Sequence, residues 1–386
     1  MISLALRGSG RVRSLAAPVS RRCISSNHQV FAEGDIVLLR RLKDNATTIL
    51  STALNPSKKV ETHRGNILHT DIIGQSTRKL VTSSAGAQYC VTFPTIEEYV
   101  TKVRRLVTPV YPLDAATIVS LLDIHVTAPT TDSTPPIEIF EAGTGHGSLT
   151  LQLCRAIHAA NPPGAMHRGA IIHSIDISAK HSARASQVVH GFRRGIYSND
   201  VDFHVDSPTA WITGELQRRG GAPFLAHALL DMPGPDEHLE ALSNALLPDG
   251  VLGVFCPSVT QIGECLKKIK KLGLWLGKDI VVEFPPHAES VGAGLRGWNI
   301  KYTVVRARAK EAAAAAAAAE AETETESVAE EASATETSAV DGESGSEGAL
   351  REEEEGGREV LVCRPSVGDR LVGGGFFGIF RKKGEC

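Results

Sequence analysis

The chain has 386 residues, enough for two domains with a large core, and its hydrophobic content of 42% is ordinary for a water-soluble protein. No apolar run reaches the roughly 18 residues that a membrane-spanning helix needs, so the sequence predicts no membrane partner. The net charge of −3 hides a segregation: residues 311–358 hold 15 acids against 2 arginines, so the rest of the chain carries +10. That mild basic excess is compatible with nucleic-acid binding but does not establish it.

The N-terminal residues 1–27 have the composition of a mitochondrial transit peptide. They contain arginine, serine and alanine but no acid, and Glu33 is the first carboxylate of the chain. Arg22 precedes the small residues Cys23 and Ser25, which offers a processing point. The sequence therefore predicts a mitochondrial protein. The alternatives are an ordinary basic tail and a nuclear location.

Residues 28–95 read as a small β-barrel domain, because short strand-like stretches alternate with glycine turns. The predicted strands are 36–39, 66–68, 79–81 and 88–93.

The pattern changes at residue 96, where Thr95 is placed to cap a helix whose first turn holds Glu97 and Glu98. Apolar residues then recur at helical spacing up to Asp123, with breaks at Pro109 and Pro112. From there strands and helices alternate through residue 310, which predicts a doubly wound parallel sheet. The predicted strands are 137–140, 170–175, 201–205, 225–230 and 251–255, and the predicted helices are 148–160, 179–192, 209–218, 236–246 and 258–272.

The C-terminal part predicts an ordered strand after a disordered insertion. Residues 311–358 are rich in alanine and acids and cannot bury enough apolar surface to fold, whereas residues 359–386 include the apolar run Gly373–Phe380. We expect that run to be a final strand that completes the sheet by pairing with 298–306. The acidic segment would then interrupt a hairpin loop, at small cost in closure entropy.

A glycine turn follows the first strand of the predicted sheet. Gly143, Gly145 and Gly147 stand behind Glu141, and Ser148 opens the next helix. Glycines let a ligand approach the backbone closely, and the unpaired N–H groups at the start of a helix bind negatively charged groups. Both features are typical of a site for a nucleotide-type cofactor. A dinucleotide site more often reads Gly-x-Gly-x-x-Gly, so the tighter spacing favours S-adenosyl-L-methionine. The alternative is a purely structural turn, in which His146 is only a tolerated exposed residue.

Three aspartates end the following strands. Asp176 is placed to accept both ribose hydroxyls, Asp206 to bind the adenine amino group of a cofactor, and Asp231 to point into the ligand cleft outside the strand ends. Pro233 and Pro235 stiffen the loop after Asp231. Each aspartate could instead be a helix cap or a turn residue.

Cysteine and histidine usage predicts no metal site. None of the 7 cysteines forms a Cys-x-x-Cys pair, and the histidines do not have metal-ligand spacing.

These motifs, in this order, resemble the catalytic subunits of tRNA (adenine-N1) methyltransferases that act at position 58 of tRNA. The similarity runs from about Phe31 to Lys310 and resumes near Val372. Besides the segments above, it rests on Thr62-His63-Arg64-Gly65, Asp71-Ile72-Ile73-Gly74, Phe93-Pro94-Thr95 and Val110-Tyr111-Pro112-Leu113-Asp114. The resemblance implies an α/β, Rossmann-like class I methyltransferase sheet with a small N-terminal β-barrel domain. The basic leader indicates a mitochondrial, fungal-type member.

The resemblance also implies roles for residues. Asp231 matches the aspartate implicated in catalysis, and the turn Gly143–Ser148 would hold the methionine part of S-adenosyl-L-methionine. The other implied cofactor-binding residues are Thr108 (often glutamine in the family), Tyr111, Glu141, His146, Asp176 (usually glutamate), His181 (commonly arginine) and Asp206. The family's tryptophan after the proline loop is replaced by Asp236, and Asn161–Gly169 is an insertion.

The implied partner is tRNA, and members of the family are tetramers, either of one chain or of a catalytic and a noncatalytic tRNA-binding chain. Four alternatives stay open at this point. They are a noncatalytic RNA-binding subunit of the same fold, a nicotinamide dehydrogenase, a methyltransferase for another RNA, and a methyltransferase for a small molecule or a protein.

Overall fold

The computed structural model describes residues 30–127, 135–288, 298–305, 358–365 and 371–384. The chain forms two compact units, of which Arg296–Asp369 is the smaller and the remainder is the larger. The predicted transit peptide and residues 311–357 of the predicted acidic insertion lie outside the described residues.

The larger unit begins with a small antiparallel sheet. Its strands are β1 (Leu38–Arg41), β2 (Asp44–Leu50), β5 (Leu80–Thr82) and β6 (Gln88–Thr92), in the order β2-β1-β6-β5, while β3 (Lys59–Thr62) and β4 (Gly65–Leu68) form a separate hairpin. In β6, Tyr89 and Val91 are buried while Gln88 is exposed, the two-residue period of a half-buried strand. A small antiparallel domain of this kind is compatible with the predicted barrel.

The predicted capping of the next helix is confirmed. Helix α1 (Ile96–Lys102) begins with a capping box, in which Glu98 N–H donates to Thr95 Oγ1 (3.2 Å) and Thr95 N–H donates to Glu98 Oε2 (3.0 Å). Helix α2 (Pro112–Leu121) starts with proline at its first position. The helical pattern between Tyr99 and Asp123 is thus two helices joined by residues 103–111, which we call the linking segment.

The central sheet has the predicted doubly wound architecture. Its strands and the helices between them are β7 (Ile137–Ala142), α3 (Ser148–Ile157), β8 (Ala170–Asp176), α4 (Ala179–Gly191), β9 (Val201–Val205), α5 (Pro208–Arg218), β10 (Leu225–Leu230), α6 (Leu239–Ala245), β11 (Leu246–Cys256), α7 (Val259–Leu272), β12 (Leu276–Phe284) and β17 (Gly375–Lys382). Two strand pairs lie outside this sheet, namely β13 (His287–Ala288) with β16 (Leu371–Val372) and β14 (Trp298–Val305) with β15 (Arg358–Pro365). The order of the central sheet is β12-β17-β11-β10-β7-β8-β9, and β11, β10, β7, β8 and β9 run parallel. Because β7 has β8 on one side and β10 on the other, the carboxyl ends of these three strands meet at one edge.

The predicted pairing of the last strand is wrong. Strand β17 lies antiparallel between β11 and β12, and β14 instead pairs with β15 as a hairpin of the smaller unit. The reason is burial on both faces: Phe377, Ile379 and Phe380 are all buried, so β17 fits the interior of a sheet. The acidic segment does interrupt a hairpin, but it is the hairpin of β14 and β15.

A buried ion pair joins the small antiparallel sheet to the central domain. Arg194 Nε and Nη2 each donate to an oxygen of Asp35 at 2.6 Å, and the Asp35 side chain is almost fully buried. None of the helices in the described ranges is both long enough and apolar enough to cross a bilayer.

Candidate active site at the strand ends

The glycine turn between β7 and α3 has a backbone that only glycine tolerates. Gly143, Gly145 and Gly147 have φ values of +89°, +50° and +82°. A Cβ atom on Gly143 would lie 2.0 Å from the backbone oxygen of Asp231, which is a clash that no side chain can relieve. On Gly147, a Cβ would lie 3.1 Å from the Ala185 Cβ of α4. The turn is thus packed against β10 on one side and α4 on the other.

Asp231 lies directly against this turn. Its N–H donates to the carbonyl oxygen of Ala142 at 2.9 Å, which extends the pairing of β10 with β7 by one residue beyond the strand end. Burial raises the pKa of the Asp231 carboxyl to about 7. The structure therefore places Asp231 beside the glycine turn, which is the arrangement on which the predicted cleft depends.

Glu141 is a buried carboxyl beneath the turn. Its Oε2 accepts hydrogen bonds from Thr150 Oγ1 (2.8 Å) and Ser174 Oγ (2.6 Å), while Oε1 is buried without a partner. Burial raises its pKa to about 7, against the lowering effect of these two hydrogen bonds and with a further increase from the charges of Asp231 and Asp176. Asp231 and Asp176 are thus close enough to affect the pKa of Glu141, and we call the three residues the carboxylate cluster.

Asp176 is held rigidly at the same edge. Its Oδ2 accepts from Gly145 N–H (3.0 Å), its Oδ1 accepts from Ser178 N–H (2.8 Å), and His181 Nδ1 lies 3.6 Å from Oδ1. Ser178, not Asp176, caps α4. The helix-cap alternative for Asp176 is therefore wrong. The proximity of His181 to Asp176 is a finding of the structure that the sequence did not predict.

The backbone of Asp206 is hydrogen-bonded to the backbone of Asp176. Its N–H donates to the Asp176 carbonyl oxygen (3.3 Å), while its exposed carboxylate accepts from Ser207 N–H (2.7 Å). Ser207 is the cap of α5. Asp206 is therefore at the predicted strand end, and its Oδ1 already accepts a hydrogen bond from Ser207 in the turn that follows.

The ring of His146 is not exposed, contrary to the alternative weighed for the turn. The side chain is 2% exposed and neither ring nitrogen has a partner in hydrogen-bond geometry. Burial, followed by the charge of Arg184, lowers its pKa to about 4 although the Val100 backbone partly opposes the shift. His146 is thus a neutral residue under the turn, and only its backbone can face a ligand there.

The linking segment contacts the first residue of α3, directly after the glycine turn. Ser148 Oγ donates to the Val110 carbonyl oxygen at 2.6 Å, so this hydroxyl is tied to the segment. Tyr111 is buried and its hydroxyl accepts from Arg105 Nη1 (3.3 Å). Thr108 is exposed, and no described contact brings it to the carboxylate cluster.

Sequence reasoning missed the hydroxyl groups that hold Glu141. Ser174 Oγ also lies 2.7 Å from Thr144 Oγ1, and these two and Thr150 are fully or almost fully buried. One signal was available, since Ser174 interrupts the apolar strand β8. Its partner could not be read from the chain because it comes from a neighbouring strand.

The site fits a ligand that carries positive charge. Burial raises the pKa values of Glu141 and of the half-buried Asp231 to about 7. Glu141 Oε1 is buried without a partner, and the glycine turn exposes bare backbone beside these acids. A cationic group would favour the ionised forms of these acids. Within the described ranges, no group of three or more His, Cys, Asp or Glu residues is arranged to hold a metal ion.

Comparison with solved structures confirms the fold. An SAM-dependent O-methyltransferase from Thermotoga maritima matches with a TM-score of 0.58 at 17% identity, covering 94% of this chain and 98% of that one. The tRNA (m1A58) methyltransferase TrmI from Aquifex aeolicus matches with a TM-score of 0.50 at 16% identity, covering 92% and 100%.

Sequence comparison identifies the family. The tRNA (adenine(58)-N(1))-methyltransferases TrmI of two Thermus thermophilus strains are each 28% identical over 246 residues, which cover 64% of this chain and 81% of theirs. A TrmI-like N-terminal model matches residues 30–77. The model of the tRNA methyltransferase complex GCD14 subunit matches residues 89–346, which is more than half of the chain, and the chain belongs to that family.

Proposed function

We propose that the chain is an S-adenosyl-L-methionine-dependent methyltransferase that forms N1-methyladenine at position 58 of tRNA. The observation that carries the proposal is the position of Asp231, whose backbone packs on Gly143 at the start of the cofactor-type turn. The activity named for the Thermus thermophilus relatives supports the choice of base and position.

The chemistry needs positioning more than proton transfer. Adenine N1 has a lone pair at neutral pH, so no residue has to remove a proton before N1 accepts a methyl group. The cofactor supplies that methyl group on a positively charged sulfur. The product ring is cationic, and Asp231 stabilises the developing charge by accepting a hydrogen bond from the exocyclic amino group. The adenine is stacked in folded tRNA, so it must be extruded to reach this carboxylate.

The remaining cluster members prepare the cofactor site. Asp176 is pre-oriented by two backbone N–H donors, which suits acceptance of ribose hydroxyls. Glu141 fixes β8 and α3 beneath the turn through Ser174 and Thr150, and adds negative charge facing the cationic part of the cofactor. The turn itself offers backbone to the methionine part. His181 acts on Asp176 rather than standing alone.

The intact site favours a catalytic chain over the alternative of a noncatalytic RNA-binding subunit. A subunit that only binds RNA has no need of a glycine turn that excludes a Cβ beside an acid with a raised pKa. A methyltransferase for another RNA stays the second candidate, and mapping of N1-methyladenine in tRNA and in other RNAs decides between them.

We further propose that the active form is an oligomer, either a homotetramer or a heterotetramer with a noncatalytic tRNA-binding chain. The support is the exposed apolar face of the β14–β15 hairpin. Trp298, Ile300 and Tyr302 alternate along β14 and are 60–68% exposed, and exposed Cys363 and Leu361 face Ile300 and Tyr302 across the pair. An apolar face of this kind is typical of an interface.

Replacing Trp298 and Tyr302 by aspartate tests the oligomer, because charges on an apolar interface oppose association. We expect the double variant to show a smaller molar mass by light scattering than the wild-type protein. A wild-type protein with the mass of a single chain would contradict the proposal.

Localisation in the mitochondrion is proposed from the acid-free, arginine-rich residues 1–27. Fused to a fluorescent reporter, this segment should direct the reporter to mitochondria, and replacement of its five arginines by glutamine should abolish import. A reporter that enters the nucleus would favour the alternative location.

Asp231→Ala should lower single-turnover methyl transfer by about 10²–10³, a typical loss for one electrostatic stabiliser. Binding of the uncharged S-adenosylhomocysteine, measured by calorimetry, should stay largely intact, because that ligand carries no charge on sulfur for Asp231 to attract. Asp236→Ala, five residues along the same loop, is the matched control and should retain near wild-type transfer. Wild-type activity in the Asp231 variant would refute its assignment.

Cofactor binding should depend on pH because Asp231 and Glu141 have pKa values of about 7 in the unbound protein. Below pH 7 both acids are largely protonated; as pH rises through 7 they ionise and attract the sulfonium. Affinity for S-adenosyl-L-methionine relative to the uncharged S-adenosylhomocysteine should therefore rise about tenfold from pH 6 to 8.

The two ligands differ only in the methyl group on sulfur and the positive charge that it brings, so the pH dependence of their affinity ratio reports the charge on sulfur. Asp231→Asn should weaken the pH dependence of that ratio. A ratio that does not change with pH in the wild-type protein would show that the carboxylate cluster does not bind the charge.

A further inference from the structure

A groove of about 450 Å³ lies outside the carboxylate cluster, between the linking segment and α4. It is lined by Arg104, Leu106, Lys180, Ala183, Arg184 and Gln187. Arg104 and Lys180 are exposed, and Leu106 is 40% exposed between them. The groove lining therefore combines cationic and apolar side chains.

The positive charge of the groove is not neutralised by neighbouring acids. Arg184 donates from Nη2 to the Arg104 carbonyl oxygen (2.6 Å) and from Nη1 to Gln187 Oε1 (3.3 Å), and both acceptors are uncharged. Across the residues that the structure describes, no carboxylate is ion-paired with Arg104, Lys180 or Arg184. Three cations thus face solvent or the groove without a counter-charge.

The groove walls are the same elements that confine the glycine turn. Val107 of the linking segment lies 3.4 Å from where a Cβ on Gly145 would be, and Ala185 of α4 lies 3.1 Å from where one on Gly147 would be. Lys180 is adjacent to His181, which approaches Asp176 at 3.6 Å. The cationic groove therefore borders the candidate active site instead of being a remote patch.

We propose that this groove binds the sugar–phosphate backbone of the substrate tRNA and so holds the strand whose adenine enters the site. Arg104 and Lys180 contact phosphate oxygens, and Arg184 fixes the wall by bonding the linking segment. The argument is charge complementarity: phosphate supplies the counter-charge that the protein lacks here. The inference rests on the proposed function for the identity of the RNA.

The test is binding of an unmodified tRNA transcript by the full chain over a series of salt concentrations, without cofactor. The double variant Arg104→Glu with Lys180→Glu should weaken binding at least tenfold. It should also reduce the slope of log K against log salt by about 1.4–1.8, the amount for two lost phosphate contacts. The matched control is Lys270→Glu with Lys271→Glu, two exposed cations at the end of α7 that should change the slope much less.

Affinity for S-adenosylhomocysteine, measured on the same samples, shows whether the variants fold and whether the groove belongs to the cofactor site. Unchanged affinity with lost tRNA binding supports the proposal. Loss of S-adenosylhomocysteine binding in a folded double variant overturns it, and so does an equal loss of tRNA binding in both pairs. If the wild-type protein binds tRNA through the groove but forms no N1-methyladenine, the proposed function fails while the groove assignment stands.

Discussion

The site depends on a close backbone contact between two strand ends. The carbonyl oxygen of Asp231 occupies the space that a side chain on Gly143 would need, and the Asp231 N–H is bonded to Ala142. Neither residue can move without the other, because both lie at the ends of paired strands in the centre of the sheet. The main chain therefore positions the Asp231 carboxyl, to which we assign the catalytic role.

This contact concentrates negative charge in a buried place. Glu141 and Asp231 both have pKa values near neutrality because burial disfavours their ionised forms, and Asp176 adds a third carboxyl. Because the pKa values of Glu141 and Asp231 are raised, the free energy of unfolding of the unbound protein falls as pH rises from their ordinary pKa to about 7. A bound cationic group favours the ionised forms of these acids and so offsets that loss of stability, which is why we assign the cluster to the positively charged part of the cofactor. The cationic groove lies beside the carboxylate cluster, so negative charge in the cluster is flanked by positive charge from Arg104, Lys180 and Arg184.

Charge also explains how one site can distinguish two ligands of opposite sign. In the arrangement that we propose, the carboxylate cluster attracts the sulfonium and repels the RNA backbone, whereas Arg104 and Lys180 attract that backbone. The linking segment lies against the glycine turn through Val107 and lines the groove through Arg104 and Leu106, so it adjoins both proposed binding places. Thr108 is exposed on this segment, and its role in cofactor binding stays a prediction.

The sequence alone determined the alternation of strands and helices, the strand ends at Asp176 and Leu230, and the glycine turn. These follow from local rules, namely the 2.0 and 3.6 residue periods, helix caps and the φ values that glycine allows. Only the tertiary structure decided that β17 enters the sheet between β11 and β12, that the His146 ring is buried, and that Ser174 and Thr150 hold Glu141. Those outcomes depend on contacts between segments far apart in the chain, where several pairings satisfy the same local pattern and packing of both faces selects one.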